Sequence, residues 1–498
     1  MGLWSLPASA AGLLALAGLP LGSGAALDLF WLSQPTAVCN DGSPAAYYYR
    51  AATALPQTYL VYLQGGGWCW DAASCAAREA WRKTSDGLSP QVTIGGIFDE
   101  AHSAVAGAHV IFVPYCTSDA FMGDVAASPD SLGMHFRGHR VVEAVFANLV
   151  AKRGLGASSG QTVIFGGGSA GARGAMVHLD GISDLVASTA RRPEHVIGFL
   201  DSPLWVDAPA LDPNKASLAE TVQMVQKIAN VTQLGAACAA AHEADTSWKC
   251  LLGEYRMPYV KSPYVLIASQ DDSYQLSYNL GHFPNASNAA EAAYTAEFAA
   301  ATAQLVGSLP PFGLRAAATV FSQRCYDHST SQTPRFYQES VGGFTMNDAL
   351  VDVLDAARAG EAPRRFIDDC AGFDCGAGCT HVRGRLCAPQ TPRTQARSGG
   401  AVAHADGDAR RRHRDRRGRP QASRTAATPE PARVPPALYA AAAAARRSIG
   451  ALCALVGLGL FAGRVLMQCR RRQTRRKRKA EAPSVAWLAL PKDEDELA

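Results

Sequence analysis

Short apolar runs punctuate the first three quarters of the chain: TYLVYL (58–63), HVIFV (109–113), TVIF (162–165), HVIGFL (195–200), YVLIAS (264–269) and AATVF (317–321). Each is rich in β-branched and aromatic residues and lacks a polar alternate face, which is the pattern of a strand covered on both sides. Between several of them lie helical patterns. The clearest is 140–152, where Val141, Val142, Val145, Leu149 and Lys152 form an apolar stripe of helical period with a charged end. Strands alternating with helices predict a doubly wound α/β architecture with a mainly parallel sheet, whose ligand sites lie beyond the carboxyl ends of the strands.

Outside this region the pattern changes. Residues 1–25 carry an apolar run followed by small residues, as a secretory signal peptide does. A globular domain is expected over 26–390, and an Arg-, Ala- and Pro-rich linker over 391–447. Residues 448–468 are apolar over about the length of a bilayer crossing, so a C-terminal single transmembrane helix is expected. The arginines that follow in 469–498 place that basic tail in the cytosol by the positive-inside rule. A type I single-pass protein is expected, with its large domain extracellular or in the secretory lumen, from which cleavage of the linker would shed it. Cys469, beside the arginines, is a candidate for lipidation.

The net charge of +4 changes little, because the arginines concentrate in 408–419 and 469–479 and no recognition fold accompanies them; no nucleic-acid partner is expected. Eleven of the 13 cysteines fall in the globular part, clustering as Cys69/Cys75 and Cys370/Cys375/Cys379/Cys387. In a secreted domain these read as disulfides, with one thiol left over. The second cluster lacks the paired C-x2-C spacing of structural zinc sites, so no metal is expected. Asn230 and Asn285 open sequons compatible with N-glycosylation.

The stretch VIFGGGSAGARGAM (163–176) carries the chemistry. A strand that turns directly into a helix passes through a cramped backbone, and glycines either side of Ser169 remove the clashes. Gly167-Gly168-Ser169-Ala170-Gly171 fits a nucleophile elbow, G-x-S-x-G. The lysine of a phosphate-binding loop is missing. In α/β-hydrolase-like chains the order is serine, acid, histidine. Of the histidines after residue 269 in the globular part, His282, His328 and His381, only His328 follows the last strong strand closely, with Cys325 beside it to pin the loop if bridged. Asp271 and Asp272 both follow a strand end and either carboxylate suits the role of orienting the imidazole, while a turn or N-cap role is the alternative for each. LQGGGWCW (63–70) supplies glycines at another strand end; the N–H groups of Gly67 and Trp68, with that of Ala170, are the candidate oxyanion donors.

Seven blocks in order, AVCNDGSPAAYYYR (37–50), LQGGGWCWDAASC (63–75), VPYCTSDAFMGD (113–124), FGGGSAGARGAM (165–176), DDSYQL (271–276), CYDHSTS (325–331) and DDCAGFDCGAGC (368–379), resemble the pectin acetylesterase family, which also includes the lipid-removing Notum-type carboxylesterases. The resemblance spans 37–379, and its GGGWC block is closer to the plant-type pattern. It implies Ser169 as nucleophile, His328 as base, Asp272 rather than Asp271 as acid, and Gly67, Trp68 and Ala170 as the oxyanion hole. It implies no cofactor. Gln64 stands where family members commonly carry glutamate, and Tyr326-Asp327 precedes His328 where the plant enzymes usually carry small or aromatic residues. The expected function is removal of O-acetyl groups from an extracellular or cell-wall polysaccharide through an acyl-enzyme. The alternatives are removal of a longer acyl group from a secreted protein and a catalytically silent, membrane-anchored binding scaffold.

Overall fold

A computed structural model describes residues 25–379, apart from 212–213, 215, 286–287, 310–317 and 361. A ten-stranded sheet organises them, in the order β12-β9-β8-β7-β6-β3-β5-β2-β1-β4. Its strands are β1 (Leu27–Trp31), β2 (Ala46–Arg50), β3 (Leu55–Leu63), β4 (Gln91–Val92), β5 (Ala108–Val113), β6 (Thr162–Gly168), β7 (His195–Asp201), β8 (Tyr264–Ile267), β9 (Ala318–Ser322) and β12 (Arg365–Ile367). A separate hairpin joins β10 (Ser340–Val341) to β11 (Phe344–Thr345). All six apolar runs form strands.

From β5 through β12 every neighbouring pair of the sheet is parallel, while β2, β1 and β4 add an antiparallel edge. The expected sheet is therefore present, with an antiparallel border that the apolar runs did not announce. Alternate side chains of each central strand enter different cores. Tyr59, Val61 and Leu63 of β3 face the core shared with the helices Gly138–Lys152 and Ala170–Ala187, and Leu60 and Tyr62 face the one shared with the helix Met346–Ala359. Burial on both faces is why these strands read as uninterrupted apolar runs.

The winding positions the site. From β3 the chain passes to β5 on one side, then crosses back through Gly138–Lys152 to β6 on the other side of β3. The carboxyl ends of β3 and β6 therefore lie together, with Leu63 paired to Gly167, where the winding reverses. That is the crevice in which open α/β sheets place their ligands.

Five disulfides join Cys39 to Cys116, Cys69 to Cys75, Cys238 to Cys250, Cys325 to Cys379 and Cys370 to Cys375. The late cysteine cluster thus does not pair only within itself: Cys379 reaches back to Cys325. Cys387, the eleventh cysteine of the globular part, lies outside the described residues, as do 1–24, the linker 391–447, the apolar segment 448–468 and the tail 469–498. Among the described residues no helix is long and apolar enough to cross a membrane.

Candidate active site

Ser169 sits between β6 and the helix Ala170–Ala187 with φ 52° and ψ −119°. A non-glycine residue holds a positive φ only where its surroundings enforce it. The neighbouring glycines do so by close approach. A Cβ on Gly166 would stand 2.0 Å from the Phe199 carbonyl oxygen, and one on Gly171 would stand 2.0 Å from that of Leu63. On Gly168 it would meet Ser329 Oγ at 2.2 Å and Tyr62 OH at 2.7 Å. Strand β7, strand β3 and the histidine loop all press on the turn, so side chains there are excluded.

His328 Nε2 is 2.7 Å from Ser169 Oγ, and His328 Nδ1 is 2.8 Å from Asp272 Oδ2. A carboxylate facing Nδ1 fixes the proton there, which leaves Nε2 as the acceptor for the serine hydroxyl. Burial opposes charge on His328, but attraction and hydrogen bonding to Asp272, with a further contribution from Asp201, prevail and raise its pKa. Tyr274 stacks its ring on the imidazole at 5.3 Å.

The two aspartates divide their tasks. Asp272 caps the helix Ser273–Leu280, its Oδ1 accepting from Gln275 N at 2.9 Å, while Oδ2 serves the histidine. Asp271 turns away: its Oδ2 accepts from Asp374 N at 2.9 Å and lies 3.6 Å from Arg324 Nε. Burial raises the Asp271 carboxyl to about 6. It braces the cysteine-rich loop rather than the imidazole.

Further residues, not singled out in the sequence, hold the histidine loop. Ser329 N donates to Ser202 Oγ, and Ser331 N to Asp201 Oδ2, both at 3.0 Å. Asp201 also ties the elbow, its carbonyl accepting from Ser169 N at 2.8 Å. The available signal was an acid directly after the predicted strand 195–200. Tyr326 N donates to Asp374 Oδ1 at 2.9 Å, and the Cys325–Cys379 bond closes the same segment.

The loop after β3 lies against the elbow: a Cβ on Gly65 would come 2.7 Å from the Gly168 carbonyl oxygen and 3.1 Å from Ser169 Cβ. Gln64 Oε1 accepts from Tyr115 N at 3.0 Å, a task a neutral amide performs without a buried charge. Gly67 has φ 67°, and among the described residues the N–H groups of Gly67, Trp68 and Ala170 have no hydrogen-bond acceptor. Arg173, fully buried one turn after Ser169, has its guanidinium carbon 4.2 Å from the Trp68 ring centre and 3.6 Å from that of Trp205, and the two rings pack edge-to-face on each other at 4.8 Å. Burial lowers its pKa to about 9. Nη2 donates to the Leu251 carbonyl, and Nε and Nη1 have no acceptor among the described residues. Trp205 stacks in turn on Tyr274 at 5.6 Å.

Three cysteine-containing groups have metal-ligand proximity, Cys238/His242/Cys250, Cys325/Asp374/Cys379 and Cys325/Asp327/Glu339, but in each the cysteines are disulfide-bonded. A sulfur committed to a disulfide is not a thiolate ligand. Of the two sequons, Asn230 is exposed and Asn285 is also at the surface, with residues 286–287 outside the description.

The family model for pectinacetylesterase matches residues 24–380. The chain belongs to the pectinacetylesterase family. Among its relatives, palmitoleoyl-protein carboxylesterase notum2 of Xenopus laevis is 26% identical over 382 residues, covering 72% of this chain and 74% of that protein. Pectin acetylesterase 11 of Arabidopsis thaliana is 29% identical over 245 residues, 48% of this chain and 60% of that protein. The solved structure of the Wnt deacylase Notum from Drosophila superposes with a TM-score of 0.64 at 24% identity, over 71% of this chain and 99% of that one, a likeness of fold. As a member of this family the protein is a carboxylic ester hydrolase that removes acyl groups.

Proposed function

We propose that this pectinacetylesterase-family protein hydrolyses acyl esters through Ser169, His328 and Asp272. The observation that carries the reading is the unbroken line from Asp272 Oδ2 through the imidazole to Ser169 Oγ, with contacts of 2.8 and 2.7 Å. In the mechanism, His328 Nε2 takes the Ser169 proton as Oγ bonds to the ester carbonyl carbon. The carbonyl oxygen, now negative, receives the N–H groups of Gly67, Trp68 and Ala170. Collapse breaks the bond to the leaving alkoxide, which takes the proton from His328 and departs as an alcohol. Water then adds to the acyl-enzyme by the same route, releasing the acid and restoring Ser169. Asp272 holds the tautomer and stabilises the imidazolium throughout. No step uses a metal or an organic cofactor.

We assign a short acyl group, acetyl, carried as an O-ester on an extracellular polysaccharide. The ground beneath the oxyanion loop is a packed layer of Trp68, Arg173, Trp205 and Tyr274, and its centre is a cation with unmet donors. Trp68, Arg173 and Trp205 are all buried against one another, so a long alkyl chain could enter here only by opening this layer. An acetyl methyl does not reach so far. Five disulfides suit an oxidising compartment, hence a domain over 26–390 that is extracellular or luminal. The signal peptide 1–25, linker 391–447, single-pass helix 448–468 and cytosolic tail 469–498 complete the proposed type I organisation.

The deciding experiment offers the full-length chain p-nitrophenyl acetate, p-nitrophenyl octanoate and an acetylated pectin, beside Ser169→Ala. Serine-dependent turnover concentrated on acetate and release of acetate from the polymer are expected. Preference for octanoate would replace the reading with deacylation of a lipidated protein, and folded protein without serine-dependent turnover would replace it with a binding scaffold.

A further inference from the structure

Two guanidinium groups converge on one carbonyl beside the nucleophile. Arg78 Nη1 donates to the Gly66 oxygen at 2.7 Å, and Arg82 Nη1 donates to the same atom. Neither residue lies in the hydrogen-bonded line of Ser169, His328 and Asp272. Arg78 is placed by Nε donating to Ser118 Oγ at 3.0 Å and by the Tyr115 ring, 5.6 Å from its guanidinium carbon. Arg82 is placed by Glu79, 2.8 Å from its Nε, and by stacking on Trp81 at 4.5 Å. The Cys69–Cys75 disulfide closes the segment between the glycines and these arginines, and Cys69 N donates to the Ser118 carbonyl at 3.0 Å.

Burying a cation without a carboxylate is costly. Arg78, half-buried, approaches such a case: its polar contacts are the Gly66 carbonyl and the Ser118 hydroxyl, both neutral, and its buried Nη2 has no acceptor among the described residues. Its fit to the loop is close, since a Cβ on Gly67 would sit 3.5 Å from Arg78 Nη1, and one on Gly66 would sit 3.3 Å from Arg82 Nη1 and 2.9 Å from Tyr115 Cδ1. The arrangement is built around a bare backbone.

The Gly66 carbonyl and the Gly67 N–H are the two ends of one planar trans peptide group and point in opposite directions. Fixing the oxygen fixes where the N–H points. Two charge-assisted donors on the oxygen also draw electron density from the amide and strengthen the hydrogen bond that its N–H can donate. We propose that Arg78 and Arg82 are positioning residues that orient and polarise the Gly66–Gly67 peptide so that the Gly67 N–H receives the oxyanion. This rests on the esterase reading above, and it accounts for Arg78 turned toward a carbonyl rather than an acid and for Arg82, paired with Glu79 through Nε, sending Nη1 to the same oxygen.

Removing a whole oxyanion donor typically costs about 10²–10³ in kcat, so losing part of one donor's alignment is expected to cost about tenfold per arginine. The test uses the full-length chain and the variants Arg78→Gln, Arg82→Gln, the double variant, and Arg78→Lys and Arg82→Lys. Three quantities are read: kcat and KM for p-nitrophenyl acetate, affinity for a trifluoromethyl ketone that forms a hemiketal oxyanion, and the Gly67 amide resonance. Expected are a kcat lowered about tenfold in each glutamine variant and about a hundredfold in the double, with KM within about twofold. Ketone affinity falls in proportion to kcat/KM, the Gly67 amide proton moves upfield, and the lysine variants recover part of each change. A raised KM with kcat retained would overturn the proposal and make the arginines substrate contacts. An unmoved Gly67 resonance, or unchanged ketone affinity, would also overturn it. If the parent chain shows no Ser169-dependent turnover, the esterase reading fails, and the Gly67 resonance alone decides whether the arginines act on that peptide. Thermal unfolding is followed for every variant, and the lysine pair is the measurement of record if a glutamine variant does not fold.

Discussion

Asp272 and His328 are joined by a single hydrogen bond of 2.8 Å, and the other oxygen of the same carboxylate starts the helix that carries Tyr274 onto the imidazole. Alignment of the base and initiation of a helix therefore share one side chain.

That sharing separates two substitutions. Asp272→Asn retains an oxygen for the helix cap but presents the wrong partner to His328 Nδ1, and kcat is expected to fall by about 10²–10⁴ with little change in unfolding temperature. Asp272→Ala loses the cap as well and is expected to lose a further ~1 kcal/mol of stability. Steady-state kinetics and thermal unfolding of the pair check this; equal stability of the two variants would contradict the capping role.

The raised pKa of His328 sets the acid side of activity. The neutral imidazole is the base, so kcat/KM falls about tenfold per pH unit below the folded pKa, and that limb is expected above 6.5, the ordinary histidine value. In Asp272→Asn the limb moves to lower pH, because the attraction that raised it is gone. A pH profile of acetate ester hydrolysis measures both.

Glu339, buried beside the histidine loop, has its carboxyl pushed up to about 7 by burial, against the opposing pull of Arg335. The folded pKa lies above the unfolded value of 4.5, so the stability it contributes is complete below 4.5 and is lost as pH rises through 7. Glu339→Gln keeps an acceptor for Gln323 Nε2 and cannot ionise. Its unfolding temperature is expected to exceed the parent's by a few degrees at pH 8 and to match it near pH 4.5. A parallel pair of curves would show that Glu339 does not titrate in this range.

Trp205 walls the packed layer under the oxyanion loop. Trp205→Ala is expected to raise turnover of octanoate relative to acetate by about tenfold, through opened space rather than altered chemistry. Competition between the two esters gives the ratio directly, and an unchanged ratio would remove Trp205 from the specificity wall.

Much of this was legible in the chain. The six central strands appear as apolar runs because both their faces are buried, and Ser169 announces itself through glycines that β3, β7 and the histidine loop leave no room to replace. The border was not legible: β4 has two residues and β12 three, too short for any period, while β1 and β2 gain their place by antiparallel pairing across the chain. Asp271 and Asp272 are equivalent by pattern, and only the start of the following helix turns one toward His328 and the other toward Asp374. Arg78 and Arg82 look like ordinary surface charges until the fold brings the Gly66 carbonyl to them.

The Cys325–Cys379 bond spans 54 residues, and cross-linking a loop of that length is worth about 4 kcal/mol in the chain-entropy picture. It also gives the domain a mechanical peculiarity. Cys379 is stitched to Cys325, three residues before His328, so a load applied to the chain after it is shared between its own backbone and the histidine loop. A tag, fusion partner or surface attachment joined after Cys379 is therefore tethered close to the base.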